Sequence, residues 1–187
     1  TGDAYVDHPS FGIAIVSRLL ESLGFKVAMI AQPVKDADFL RFGAPRYGWW
    51  VTGGNIDSMV AHYTAAKRRR SDDAYTPGGK AGRRPDRATI VYCNRIRTLF
   101  PDAQIVIGGL EASMRRFAHY DYWSDTVLPS ILLDSNADLL IFGMGEHQTA
   151  HIARELAQGV PAGSIRCRGV CYLANQLGLP TDAVSVA

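Results

Sequence analysis

The sequence predicts an α/β domain built on a mostly parallel sheet. Three observations predict it. Wholly apolar runs at residues 105–107 and 139–142 have the length and composition of buried strands. Each leads directly into glycines, Gly108-Gly109 and Gly143-Met144-Gly145. Segments with apolar residues at helical spacing lie between them. Strands alternating with helices pair in parallel through crossover connections, with both sheet faces covered.

The elements follow in order. Residues 11–23 align Ile13, Val16, Leu19, Leu20 and Leu23 on one helical face, and Gly24 stops that helix. Residues 25–30, short and apolar, read as a buried strand. Pro33 turns the chain into a short helix over 36–42, interrupted at Gly43 and Pro45. A strand over 47–52 is closed by Gly53-Gly54. Asn55 caps a helix over 56–69 that presents Met59, Val60 and Tyr63 together. Residues 71–85 form a loop broken by Pro77-Gly78-Gly79 and Gly82. A helix over 87–100 ends at Pro101, and a strand over 104–107 follows. Residues 110–117 are helical, whereas the aromatic-acidic stretch 120–125 is not. A strand over 138–142, a helix over 146–156 capped by Gly159, and a last strand over 170–173 complete the pattern.

That succession describes a three-layer α/β/α arrangement of the flavodoxin or Rossmann kind. The first helix has no strand before it, although the turn at Gly2-Asp3 should follow one in a doubly wound sheet. The natural protein is therefore expected to start earlier, with its first strand outside this chain. The weakly patterned tail after Leu177 reads as the way into another domain. The expected division is a Rossmann-like domain over 1–160 and a final strand with linker over 161–187.

Composition bounds the class. With 187 residues, 47% hydrophobic and 20% charged, the chain has the make-up of one globular domain. No apolar run approaches the roughly 20 residues of a membrane helix, and no signal-peptide pattern opens the chain. Cys93, Cys167 and Cys171 are too few and too irregular for a disulfide framework, which points to a reducing cytoplasm. A net charge of +2 identifies no strongly acidic or basic partner.

Ligands of open α/β sheets bind at the carboxyl ends of the strands. Four segments fall there: residues 2–12, 52–57, 108–116 and 143–147. His8 and Ser10 bring an imidazole and a hydroxyl just before a helix, where Ser10 would otherwise serve as a helix cap. Asn55 and Asp57 follow one strand. Gly108 and Gly109 let a flat group lie against backbone, with Glu111 supplying a carboxylate. Gly145 and Glu146 have the same form, and the helix dipole favours a carboxylate at that start. Neither glycine pattern has GxGxxG spacing, so an NAD site is not indicated. Arg115, Arg116, His119 and Asp121 fall among aromatics, an arrangement suited to an anion, a stacked ring or a domain contact. Lys67, Arg68, Arg69, Arg70, Lys80, Arg83, Arg84 and Arg87 face only Asp72, Asp73 and Asp86 in their stretch, which leaves RNA backbone as a less favoured partner. No Ser/His/Asp or metal-ligand spacing supports a stand-alone hydrolase.

Several motifs are familiar as a set. The opening Thr1-Gly2-Asp3-Ala4-Tyr5-Val6-Asp7-His8-Pro9-Ser10-Phe11-Gly12 resembles that of the YgiQ family of radical SAM proteins. Asn55-Ile56-Asp57-Ser58-Met59-Val60, Ser71-Asp72-Asp73-Ala74-Tyr75-Thr76-Pro77-Gly78-Gly79-Lys80 and Arg84-Pro85-Asp86-Arg87-Ala88-Thr89 are similar to it as well. The most specific run is Arg115-Arg116-Phe117-Ala118-His119-Tyr120-Asp121-Tyr122-Trp123-Ser124-Asp125. Together these reach from the first residue to about residue 158.

The resemblance implies an N-terminal Rossmann-like domain followed by a radical SAM barrel in the same polypeptide. It also implies a [4Fe–4S] cluster and S-adenosylmethionine in the full-length protein, on cysteines of a CxxxCxxC motif. Cys167 and Cys171 have the first spacing, but the third position is Ala174, so the cluster cysteines are expected beyond Ala187. Val106-Ile107-Gly108-Gly109 and Phe142-Gly143-Met144-Gly145-Glu146 also look like parts of the cobalamin-binding domains attached to some radical SAM enzymes. The cobalamin signature DxHxxG is not matched, because Asp7 and His8 are adjacent and three residues separate His8 from Gly12. The resemblance thus implies cobalamin as a candidate cofactor, without a histidine ligand to cobalt from that signature.

The expected function is thus a substrate- or cofactor-binding domain of a radical SAM enzyme, keeping water from a 5′-deoxyadenosyl radical. Its rival is a non-catalytic module for cobalamin or RNA. The enzyme reading expects His8, Asn55, Asp57, Glu111 and the cluster from Arg115 to Asp125 to face one cavity.

Overall fold

The computed structural model describes residues 1–174 of the 187. Strands β1 (Trp49–Thr52), β2 (Ile105–Gly108), β5 (Leu139–Ile141) and β6 (Val170–Tyr172) form one sheet in that spatial order. The first three run parallel, with Trp49 opposite Ile105, Thr52 opposite Gly108, and Val106 opposite Leu139. β6 returns antiparallel along β5. A separate two-stranded hairpin joins β3 (His119–Asp121) to β4 (Thr126–Leu128). The fold is therefore mixed α/β with a mostly parallel sheet, as the alternating pattern implies.

Seven helices accompany the sheet: α1 (Gly12–Ser22), α2 (Asp36–Leu40), α3 (Ser58–His62), α4 (Ala88–Leu99), α5 (Gly109–Met114), α6 (Ile131–Asp134) and α7 (Glu146–Ala157), counted among the described residues. Successive β2 side chains point to opposite faces. Ile105 and Ile107 pack with Tyr92, Cys93 and Ile96 of α4. Val106 packs instead with Ile152 and Leu156 of α7. Both faces are covered, which is why these strands read as continuous apolar runs. Ile107 is wholly buried, and its truncation to alanine would cost about 2–5 kcal/mol.

Several elements differ from the sequence expectation. Residues 25–30 run extended without ladder pairing, their burial alternating between half-buried and exposed. A run of the right composition becomes a strand only beside a free backbone edge, and among the described residues only Thr1, at Ile30, bonds to its backbone in a ladder pattern. The helix expected over 56–69 is confined to Ser58–His62. Its cap is Asp57, which accepts from Met59 N–H (2.9 Å) and Val60 N–H (3.2 Å), rather than Asn55. The chain then folds back, and Arg70 N–H donates to the His62 carbonyl at 2.7 Å. Phe11, not Ser10, is the N-cap of α1, without a side-chain bond. The stretch 120–125 holds a hairpin corner, and α6, capped by Ser130, had no signal strong enough to read. The tail after Leu177, and with it most of the expected linker, lies outside the described residues.

Candidate functional site

The three parallel strands end side by side at Thr52, Gly108 and Ile141, below a cavity of about 250 Å³. Parallel sheets present backbone and helix N-termini to a ligand at these ends. Trp50, Ile107, Ile141 and the α1 residues Ile13 and Val16 give the cavity apolar walls. Asp3, Thr52, Asn55, Glu146 and Thr149 supply its polar atoms. The first turn of α7 opens onto it, with Gly145 as N-cap and Glu146 as first residue.

Two glycines make the rim a backbone surface. Gly109 has φ +82°, and a Cβ there would run into Thr52 Oγ1. Gly54 has φ +112°, and a Cβ there would collide with the Asp3 carboxylate. Both the left-handed backbone and the space favour glycine.

Asp3 is 1% exposed and anchors the rim. Its Oδ2 accepts from Asn55 N–H at 2.6 Å, and Arg84 Nη2 approaches Oδ1 to 2.7 Å. The second contact is a charge approach without hydrogen-bond alignment. Burial raises the Asp3 carboxyl pKa, partly offset by the Asn55 amide and the Arg84 charge. Arg84 also donates to the Gly53 carbonyl (2.8 Å) and to both oxygens of Asp73 (3.3 and 3.2 Å).

Of the residues singled out from sequence, Asn55, Gly108, Gly109, Gly145 and Glu146 line the cavity. His8 and Ser10 stand exposed beside it, their side chains 2.7 Å apart, tied to the rim by the Asn55 amide, which donates to the Ser10 carbonyl at 3.1 Å. Asp57 and Glu111 turn inward instead. Asp57 caps α3 and pairs with Arg115. Glu111 is 1% exposed and accepts from Ser58 N–H (2.8 Å) and Thr89 N–H (2.9 Å), so one carboxylate holds the starts of α3 and α4.

Arg116, His119 and Asp121 do not line the cavity either. Arg116 lies over the rings of Phe117 and Phe142 and donates to the Ser113 carbonyl. His119 opens β3, its Nδ1 3.1 Å from the Phe117 carbonyl. Asp121 pairs with Arg87 at 2.7 Å and receives the Ser124 hydroxyl and amide. Burial alone would raise the Asp121 pKa, but those bonds and the Arg87 and Arg115 charges hold it below the ordinary carboxylate value. Arg115 and Asp121 of this run are held by Asp57 and Arg87, which draws them away from the strand ends. Sequence inspection included Asp3 only within the strand-end segment 2–12 and missed Thr149 and the α1 wall of the cavity. The acid beside Gly2 was the only available signal for Asp3, and Thr149 had none.

The basic stretch is less free than its composition implied. Arg84 is buried, Arg87 holds Asp121, Arg70 donates to the Val60 carbonyl, and Lys67 lies over the Tyr122 ring.

Cys93 lies in the core, and burial pushes its thiol far up; Cys167 and Cys171 are half-buried and also raised by burial. Among the described residues no three His, Cys, Asp or Glu side chains gather to hold a metal ion. Cluster ligation needs converging thiolates, so these cysteines do not fit a [4Fe–4S] cluster. His8 is outside the cavity lining with Nδ1 engaged by Ser10, a poor fit to a cobalt ligand. No helix among the described residues is long and apolar enough to cross a membrane.

Comparison with known proteins gives a consistent result. The Radical SAM N-terminal family matches over residues 1–185. A UPF0313 protein of Clostridium botulinum (strain ATCC 19397 / Type A) is 55% identical over 189 residues, covering 100% of this chain and 29% of the relative. A UPF0313 protein of Clostridium perfringens (strain SM101 / Type A) is 57% identical over 180 residues, covering 95% of this chain and 27% of the relative. The chain thus spans less than a third of the curated relatives it matches. No solved structure matches.

Proposed function

This chain belongs to the Radical SAM N-terminal family, and from that premise we propose that it is the ligand-holding domain of a radical SAM enzyme. Its strand-end cavity takes the substrate or a second cofactor, and a C-terminal radical SAM domain of the same polypeptide supplies the chemistry. A [4Fe–4S] cluster and S-adenosylmethionine, which generate the radical in that class, belong in this reading to the remainder of the polypeptide. The observation that carries the proposal is the cavity itself, at the carboxyl ends of three parallel strands.

Within it the chain's own groups would divide the work. The backbone at Gly108, Gly109 and Gly145 admits a ligand closely, while Asn55 and Glu146 fix its polar atoms. The apolar walls from Ile13, Val16 and Ile107 exclude water, which a radical intermediate requires. Leu110 and Met144 line the cavity and remain 46% and 83% exposed, and Met114 and Phe117 are exposed at 65% and 63% nearby in sequence. An apolar surface of this kind beside a site fits a second domain closing over it. The same reading takes residues 1–160 as a three-layer flavodoxin-like unit and places the protein, with its free thiols, in the cytoplasm.

The test is anaerobic iron–sulfide reconstitution of the full-length protein, followed by an assay for 5′-deoxyadenosine under reduction with S-adenosylmethionine. Cluster-dependent release of 5′-deoxyadenosine is expected. A full-length protein that takes up no cluster and cleaves nothing would remove the enzyme reading and favour a plain binding module.

A further inference from the structure

Thr1 and Gly2 bridge two segments that are otherwise apart. The Thr1 nitrogen donates to the Ile30 carbonyl at 2.9 Å, and Gln32 N–H donates to the Thr1 carbonyl at 2.8 Å. Bonds to residues on either side of one facing position are the parallel-ladder pattern. On the opposite side Gly2 N–H donates to the Thr52 carbonyl at 3.1 Å, at the end of β1. Residues 1 and 2 therefore hold the place of a parallel strand between the extended segment and β1.

Behind them lies a cavity of about 610 Å³. Residues 25–30 form one wall and β1 the other; Tyr92 and Ile96 close one face, Val16 and Leu20 the other. Among the described residues β1 pairs with β2 on one side only. Trp49 N–H donates to the Gln104 carbonyl, so the amides of Trp50 and Thr52 point away from β2 and toward this cavity. By the same alternation, Ala28 and Ile30 turn their amides toward it from the far wall, since the Ile30 carbonyl already faces Thr1.

We infer that this cavity is the berth of a β-strand of the same polypeptide, the segment leading into Thr1, which pairs in parallel with β1 and with residues 25–30 at once. About five residues at ~3.3 Å each would fill it. Covered on both faces, the strand would be apolar at consecutive positions, rich in Val, Ile and Leu. Its seating turns residues 25–30 into a strand and makes β1 internal. It also fixes Asp3, and with it the rim of the strand-end cavity. The chain covers 29% of one relative and 27% of another, so most of each lies outside the matched region.

The test is amide hydrogen exchange on the full-length protein and on the same protein cut to begin at Thr1. Trp50, Thr52, Ala28 and Ile30 should exchange at least about tenfold more slowly in the full-length form, while Val106 and Leu140 exchange alike in both. Equal, rapid exchange of the four amides in both forms would overturn the inference. So would slow exchange in the cut form accompanied by dimerisation, which assigns the berth to a second copy. If the cut form does not fold, the full-length protein decides alone: protection of the four amides equal to that of Val106 supports the strand, and edge-like exchange rejects it. A parent polypeptide with no extended apolar segment before Thr1 would reject it outright.

Discussion

Arg84 Nη2 lies 2.7 Å from Asp3 Oδ1, with the side chains 0% and 1% exposed. The guanidinium bridges Asp3, Asp73 and the Gly53 carbonyl, so one buried cation joins the opening segment, the long loop and the end of β1. Removing it leaves two buried carboxylates without their shared cation, each keeping one backbone amide, Asn55 N–H on Asp3 and Tyr75 N–H on Asp73. Arg84→Met is expected to lower stability by about 3–5 kcal/mol, read as the shift in urea unfolding. A change under 1 kcal/mol would mean that solvent reaches this network.

Glu111 is a second junction, holding the first turns of α3 and α4 through Ser58 and Thr89. Glu111→Gln keeps the shape but turns an NH2 group toward one of the two donors. A loss of about 1–3 kcal/mol is expected for the amide left unsatisfied. Gly53→Ala should act on the same carboxylate, because a Cβ there would meet Glu111 Oε2 at 2.7 Å. The double variant should cost less than the two single losses added together, and strict additivity in a double-mutant cycle would argue against a shared cause.

Asp121 sets a pH dependence. Its pKa is depressed in the folded chain, so the unfolded chain binds more protons and stability rises with pH through that interval. The contribution is fully present above the unfolded value near 3.8 and is lost as pH falls through the lower folded value. Asp121→Asn should therefore flatten the acid limb of a plot of Tm against pH below about 4. An unchanged acid limb would assign it to other carboxylates.

Gly12 lines the strand-end cavity, and a Cβ there meets nothing within 4 Å. Gly12→Leu should leave stability within about 0.5 kcal/mol or improve it, since glycine is a poor helix former. If the cavity takes the substrate as proposed, the substitution should nevertheless reduce turnover by the full-length protein at least tenfold by occupying that space. Full turnover with an intact fold would move the ligand elsewhere.

The thiols should differ in reactivity. Cys93 is buried with its pKa pushed up, whereas Cys167 and Cys171 are partly accessible. In native protein an alkylating reagent should modify Cys167 and Cys171 slowly and Cys93 only after unfolding, as read by mass spectrometry. Native-state labelling of Cys93 would show that the α4 side of the core opens.

Ile105, Val106, Ile107 and the Gly108-Gly109 turn were legible from sequence because burial on both sheet faces and a tight strand-to-helix turn each demand particular residue types locally. The same reasoning located the ends of the parallel strands, and so Asn55, Gly145 and Glu146 at the cavity. It could not decide what each polar side chain would face. Asp57, Glu111 and Asp121 carry the same chemical signal as a ligand-binding acid, yet they serve a helix cap, two backbone amides and an arginine. Their partners Arg115, Thr89 and Arg87 are remote in sequence and meet them only when the elements pack. The run at 25–30 has a strand's composition, but strand formation depends on a neighbouring backbone edge, which is a property of the assembled sheet. Local patterning by itself determined the α/β class and the strand-end turns; tertiary structure alone decided which acids are spent on folding, because the compensation of a buried charge is a contact between distant segments.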